Sequence, residues 1–236
     1  MVEGKNTSTA VHRVQKLLSN LGYCSRRQAE ELIRAGWVKV NGETVTVGGK
    51  ASETDVITVG GKVVKGEDRV YLMFHKPTGC VTAVRDPRFK TVMDYLRIKE
   101  RVFPIGRLDR DTSGILLLTN DGDFANSVMH PRYEVKKRYV VVLDKPVKQD
   151  VKRKIERGIT LEDGKTAPAK SNILAENTLD ITIHEGKNRI IRRMMKALGY
   201  NVKTLKRVSI GNLKLGTLKP GEYRNLTKNE ITQIFK

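Results

Sequence analysis

Val14, Leu17, Leu18 and Leu21 recur at i, i+3, i+4 and i+7, the spacing of one helix face, and Gly22 stands where that helix would end. Ser25 and Gln28 form an S-x-x-Q capping box that predicts a second helix, burying Ala29, Leu32 and Ile33 and stopping at Gly36. Trp37 to Val40, Asn41-Gly42 and Thr44 to Val47 then spell strand, tight turn, strand, because Asn-Gly readily takes the positive φ such a turn needs. Asp55 to Val59 offers one more short strand. These signals predict a small αα-plus-strands module over residues 10–60. Residues 61–69, rich in glycine and charge, read as a linker.

From residue 70 onwards the pattern changes. Arg138 to Leu143 reads as a strand, and Leu179, Ile181 and Ile183 alternate as a half-buried strand does. Val147, Val151 and Ile155 mark a helix ending at Gly158. Asn188 to Leu198 is another, closed by Gly199, and Thr227-x-x-Glu230 caps a last short helix. Residues 70–236 therefore form a second domain of mixed strands and helices, and the chain is predicted to be α+β.

The 236 residues suit one or two domains, and 39% hydrophobic content supplies a real core. No run approaches the ~18 apolar residues of a membrane span. The opening MVEGKNTSTA lacks the apolar stretch of a secretory signal. Two cysteines, Cys24 and Cys80, make neither a disulfide framework nor a four-thiolate zinc site, so a reducing cytoplasm is expected. The four histidines are scattered without metal-ligand spacing.

Charge changes the picture further. With 45 Lys+Arg against 26 Asp+Glu the net charge is +19, which calls for a polyanionic partner, and nucleic acid is the one expected. Residues 185–219 hold ten Lys/Arg and one acidic residue, Glu185, a surplus of 10 − 1 = 9. There Arg189, Arg192, Arg193 and Lys196 repeat at helical spacing beside an apolar row of Ile191, Met194, Met195 and Leu198. One face packs while its neighbour offers cations to phosphates. In the small module, Arg26 and Arg27 open the second helix, where free N–H groups favour phosphate. No helix-turn-helix or zinc finger is present to suit duplex DNA.

Several ordered strings carry a resemblance. Arg13-Val-Gln-Lys-Leu-Leu, Cys24-Ser-Arg-Arg-Gln-Ala-Glu-Glu-Leu-Ile and Gly36-x-Val-x-Val-Asn-Gly42 resemble the S-four-like RNA-binding domain. Gly106-Arg107-Leu108-Asp109-Arg110-Asp111-Thr112-Ser113-Gly114 resembles the signature of RsuA/RluB-type pseudouridine synthases. His75-Lys76-Pro77, His130-Pro131, Lys137-Arg138-Tyr139, Glu185 to Met194 and Leu205-Lys-Arg207 flank it in the family's order.

The resemblance implies a mixed, largely antiparallel sheet with flanking helices behind the RNA-binding module. It implies Asp109 as the catalytic carboxylate, Tyr139 as the active-site tyrosine and Arg192 as the cation paired with Asp109. It also implies no metal or organic cofactor, and a ribosomal RNA partner. The Asn-Arg-x-x-Arg-Arg-Met string at 188–194 is similar to that of the large-subunit, RluB-type members. Small-subunit RNA is the alternative target, and an inert assembly factor the alternative class. Nothing in the sequence calls for an obligate oligomer, so a monomer is expected.

Residue chemistry leaves several roles open. Without the resemblance, Asp109 reads as a cap or surface ion pair, and Asp111 competes for its role. Tyr139 is a strand aromatic or a ring that stacks on a flipped-out uracil. Arg107 either contacts the RNA backbone or braces its loop. Lys76-Pro77 reads as a strand end with a structural role, and His130 as a turn residue.

Overall fold

The computed structural model describes residues 10–236, so most of the opening stretch, read above as lacking a secretory signal, lies outside the described residues. The chain divides into two compact units. One runs up to Val70 and also holds Ile98–Val102 and Asn120–Gly122, and the other holds the rest.

In the smaller unit, β1 (Val11–Arg13) leads straight into α1 (Val14–Asn20), and α2 (Arg26–Arg34) follows. The local signals fold as their chemistry dictates. Gly22 takes φ +82° after α1. The Gln28 N–H donates to Ser25 Oγ at 3.2 Å, and the Ser25 N–H donates to the Gln28 side chain at 3.1 Å, so both halves of the capping box form. β2 (Val38–Val40) and β3 (Glu43–Thr44) are joined through Asn41 and Gly42, both at positive φ. β3 is shorter than the strand expected over Thr44 to Val47. β4 (Lys50–Ser52) pairs antiparallel with β1, and β5 (Ile57–Val59) pairs with β2 and with β6 (Lys62–Val63). Val14, Leu17, Leu18, Ala29, Ile33, Val38, Ile57 and Val59 make the core.

The stretch read as a linker is partly built into this unit. Lys62–Val63 closes the small sheet, and Val64 packs against the core. Beyond it, the Asn120 side chain donates to the Asp68 carbonyl at 2.8 Å and accepts from the Val70 N–H at 2.8 Å. Arg69 pairs with Asp121 at 3.0 Å. An asparagine amide offers both a donor and an acceptor, so it pins the backbone on two sides.

The larger unit is built on a nine-stranded sheet. Its strands are β7 (Tyr71–Lys76), β8 (Phe103–Ile105), β9 (Ser113–Thr119), β10 (Lys137–Leu143), β13 (Lys170–Ala175), β14 (Thr178–Ile183), β15 (Val202–Ile210), β16 (Leu213–Lys214) and β17 (Tyr223–Asn225). The order is β13-β14-β10-β15-β9-β7-β17, with β16 on β15 and β8 on β9. Among the strands of this sheet only β9 and β15 pair in parallel, so it is mixed and largely antiparallel. A separate hairpin joins β11 (Thr160–Leu161) to β12 (Gly164–Lys165). The helices are α3 (Gly122–Met129), α4 (Gln149–Arg157), α5 (Ile190–Ala197) and α6 (Lys228–Gln233).

β9 sits between β15 and β7, and Ile115 to Leu118 have no exposed surface, which explains an apolar run without alternation. At its start, Gly114 has φ +114°, and a Cβ there would collide with the backbone of Arg207. Only glycine lets β9 and β15 approach so closely. Among the described residues, no helix is long and apolar enough to cross a membrane.

Candidate active site

The larger unit carries an open cavity of about 430 Å³. Its walls are the loop joining β8 to β9, the end of α3, the start of β10, the 183–191 segment and β15.

Asp109 sits on the β8–β9 loop with its side chain 33% exposed. That loop is held from beneath by Lys76, at the end of β7, which has no exposed surface. The Lys76 ammonium donates to the carbonyls of Pro77, Asp109 and Thr112, each at 3.0 Å. Burial pushes the Lys76 pKa below its ordinary value, against the opposing pull of nearby acidic groups, Asp109 and Asp111 among them. The Thr82 hydroxyl donates to the Leu108 carbonyl at 2.7 Å, and the Gly79 N–H donates to the Arg110 carbonyl at 2.8 Å. A loop so heavily clasped presents its carboxylate in a fixed place. Lys76 thus has the structural role read from the sequence, through a buried charge that the sequence did not announce.

The cation facing Asp109 differs from the one expected. Arg189 Nη1 lies 3.6 Å from Asp109 Oδ2. Arg192 pairs instead with Asp111, at 3.1 Å, and donates to the carbonyls of Asp111 at 2.9 Å and Val202 at 3.3 Å. The reason is local. α5 begins at Ile190, and Arg189 precedes it in the left-handed region at φ +46°. Arg189 therefore leaves the row that helical spacing assigned to it and points its guanidinium along a different line. It also bonds both oxygens of Asp111, at 3.3 and 3.2 Å. Burial alone would raise the Asp111 pKa, but Arg189 and Arg192 together outweigh it and hold the carboxyl below its usual range.

Tyr139 is 8% exposed and lines the cavity from β10, as do Asp109 from its loop and Arg189 from the start of α5. Arg107 is exposed on the same loop and also lines the cavity. Arg193 is not the open phosphate contact expected. It makes a two-pronged pair with Asp163, at 2.7 and 3.0 Å, and donates to the Asn188 carbonyl at 2.9 Å. The acidic partners missing from the 185–219 sequence come from Asp109, Asp111 and Asp163, far away in the chain. Lys196 is exposed on α5 away from the cavity lining, and Arg26 and Arg27 are exposed at the first turn of α2 in the smaller unit. His130 caps the turn at Pro131–Tyr133, as read.

Lys137 and Arg207 also line the cavity, from strings that carry the resemblance without assigning either residue a role. Lys137 stands two residues before Tyr139 and so shares its face of the strand, a signal that was available. Arg207 lies opposite Tyr139 only because of the β10–β15 register. Among the described residues, no group of three or more His, Cys, Asp and Glu side chains is placed to hold a metal ion.

Residues 70–197, which contain Asp109, Tyr139, Arg189 and Arg192, match the model of the RNA pseudouridylate synthase family. The chain belongs to that family. Residues 12–57 match the S4 domain, so this pseudouridylate synthase carries that module ahead of its sheet domain. The chain is 46% identical over 233 residues to ribosomal large subunit pseudouridine synthase B of Bacillus subtilis strain 168, spanning 95% of this chain and 96% of the relative. It is 37% identical over 227 residues to the dual-specificity RNA pseudouridine synthase RluF of Escherichia coli K12, spanning 95% and 78%. A crystal structure of a pseudouridylate synthase superposes with a TM-score of 0.71 at 34% identity, covering 94% of this chain and 99% of that one.

Proposed function

We propose that this synthase isomerises a uridine of ribosomal RNA, in the large subunit, with Asp109 as the catalytic carboxylate. The observation that carries the reading is the clasped loop that holds Asp109 at a cavity shared with Tyr139, with Arg189 3.6 Å away. The large-subunit target is supported by the 46% identical relative and by the Asn-Arg-x-x-Arg-Arg-Met string.

The chemistry follows from the product being an isomer. The bond from C1′ of the sugar to N1 of the base breaks, the base turns, and C1′ bonds to C5. No redox partner is consumed. A carboxylate serves either as nucleophile at C1′ or as base toward the 2′ proton. Arg189, 3.6 Å away, fixes the direction of the Asp109 carboxylate. The flipped-out uracil enters a cavity walled by Tyr139, Leu205 and Ile183, which suits a planar base.

Purified protein incubated with unmodified transcripts of 23S and of 16S ribosomal RNA tests the target, scored by pseudouridine-specific chemical mapping. Pseudouridine in the 23S transcript is expected. Modification of the 16S transcript alone would overturn the large-subunit assignment, and none in either would overturn the substrate class.

The two arginines separate cleanly. Arg189→Met should lower the single-turnover rate at saturating enzyme about 10²-fold, because Asp109 loses the charge that orients it. Arg192→Met should act mainly on stability, by about 1–3 kcal/mol, because it leaves two carbonyls without their donor. Thermal midpoints measured beside the rates decide. A chemical deficit in Arg192→Met as deep as that of Arg189→Met, at unchanged stability, would restore Arg192 as the partner of Asp109.

Recruitment belongs to the smaller unit in this reading. Arg26→Ala with Arg27→Ala should weaken RNA binding and flatten its dependence on salt by about two units of slope, if each contacts one phosphate. The single-turnover rate at saturating enzyme should stay near that of the wild type. Unchanged affinity across a salt titration would remove these arginines from the RNA interface.

A further inference from the structure

Lys137 and Arg207 are two cations of the cavity lining that have no part in the roles above. Lys137 and Tyr139 alternate along β10, and Arg207 of β15 is the register partner of Tyr139, so the three share one face of the sheet and all line the cavity. Arg207 is 4% exposed. Its Nε donates to the Ile115 carbonyl at 2.8 Å, but its Nη2 is buried without a hydrogen-bond partner among the described residues. Lys137 donates to the carbonyls of Val135 at 3.1 Å and His184 at 3.3 Å, which leaves one of its three ammonium protons uncommitted. The Thr112 hydroxyl, also on the cavity lining, is buried and likewise has no partner among the described residues.

The charges around these groups do not balance. Burial first, and then the Arg207 guanidinium, hold the Lys137 pKa down at about 8. The carboxylates on the lining are engaged with other groups. Asp109 faces Arg189, while Glu185 accepts from the Ala167 N–H at 2.8 Å and lies 3.8 Å from Lys187. A buried donor left unmade is costly, and the two on this cavity, Arg207 Nη2 and the Thr112 hydroxyl, with the third ammonium proton of Lys137 beside them, fit an acceptor-rich ligand that completes them.

We propose that Lys137 and Arg207 receive the carbonyl edge of the uracil while it is detached from the sugar, and stabilise it as the uracilate anion. This rests on the isomerisation by Asp109 proposed above. Whichever role Asp109 takes, the C1′–N1 bond breaks with its electron pair passing to the base, where the charge spreads over N1, O2 and O4. The same anion returns a pair through C5 to form the C1′–C5 bond, expelling the Asp109 carboxylate from C1′ where it acted as nucleophile, or with the 2′ proton given back by Asp109 where it acted as base. C5 then releases its proton to water, and N1 takes one up. The negative charge exists only between the two bond changes, so cations aimed at it act on the barrier and not on ground-state binding. A phosphate is the other acceptor-rich part of the substrate, but the apolar walls supplied by Leu205, Ile183 and the Tyr139 ring suit a planar base better than a hydrated dianion.

The test uses the leaving group. Fluorine at C5 acidifies the base, so its departure needs less help from the protein. Single-turnover rates at saturating enzyme are measured on 23S transcripts carrying uridine, or a single 5-fluorouridine, at the mapped position. Consumption of the starting nucleoside is read by chromatography of nuclease digests. Lys137→Met, and Lys137→Gln, which retains a donor for the two carbonyls, should both be slower on uridine by about 10²-fold. Their RNA affinity should remain within about threefold of wild type. On 5-fluorouridine the deficit should shrink below about tenfold. Arg207→Lys, which keeps a cation but withdraws Nη2, is the second variant and should show the same contraction, so the test survives a Lys137 variant that does not fold. An equal deficit on both nucleosides, a wild-type rate in Lys137→Gln, or a salt-dependent loss of affinity with unchanged chemistry would each overturn the proposal. A wild-type protein that makes no pseudouridine overturns the isomerase reading and this one with it. An active wild type, silenced by Asp109→Asn but not by the Lys137 variants, overturns this one alone.

Discussion

Asp109→Asn should lower the single-turnover rate by about 10³-fold or more while RNA affinity stays within a few-fold of wild type. Asparagine is nearly isosteric with aspartate. Lys76 and Thr82 hold the loop through backbone carbonyls, which the substitution does not touch. What disappears is the carboxylate charge, and with it both the nucleophile and the base. Asp111→Asn is the control. That carboxylate is nearly half exposed and its contacts are ion pairs to Arg189 and Arg192. An exposed pair contributes about 1 kcal/mol or less, so its loss should cost no more than about tenfold in rate. A deeper loss in Asp111→Asn than in Asp109→Asn would exchange their roles.

Lys76→Met should be the most damaging substitution away from the reacting atoms. The ammonium is wholly buried and holds three carbonyls at 3.0 Å. Methionine fills most of the space and relieves the cost of burying a charge, but it leaves those carbonyls unmet. The balance is a loss of about 3–5 kcal/mol, or a thermal midpoint lower by roughly 10 °C. The folded fraction should also lose about 10²-fold in rate, because the backbone on either side of Asp109 is no longer held. Circular-dichroism melts beside single-turnover kinetics check both effects. A midpoint within about 2 °C of wild type would show that the ammonium does not brace the loop.

Local signals in this chain were legible. The Ser25–Gln28 box, the Asn41-Gly42 turn and the Thr227–Glu230 cap each depend on neighbours in sequence, and each formed. The β1–β4 pair was invisible, because two three-residue strands with few buried positions carry no usable period. The linker reading failed in part for a similar reason. Its glycines and charges resemble a loose connection, yet Val63 and Val64 find the small sheet and core.

At the site, the resemblance supplied Asp109 and Tyr139, and both line the cavity. The spacing of Arg189, Arg192, Arg193 and Lys196 suggested one helical row of free cations. One left-handed residue broke that row, and carboxylates from Asp109, Asp111 and Asp163 occupied three of the four arms. Ion pairs between residues about eighty positions apart leave no trace in a local pattern. Neither does the register that places Arg207 opposite Tyr139.

In the proposed reaction a carboxylate at position 109 moves the sugar from N1 to C5 of a uridine in large-subunit ribosomal RNA. That exchange replaces the C5–H bond, so it must release the hydrogen carried there. The direct measurement is tritium release from a 23S transcript made with 5-tritiated uridine, under single-turnover conditions, with wild type, Asp109→Asn and Asp111→Asn in parallel. Stoichiometric release from the modified position is expected with wild type and with Asp111→Asn, and none above background with Asp109→Asn. Release by Asp109→Asn at the wild-type rate, or none from the wild type itself, would contradict the proposed reaction.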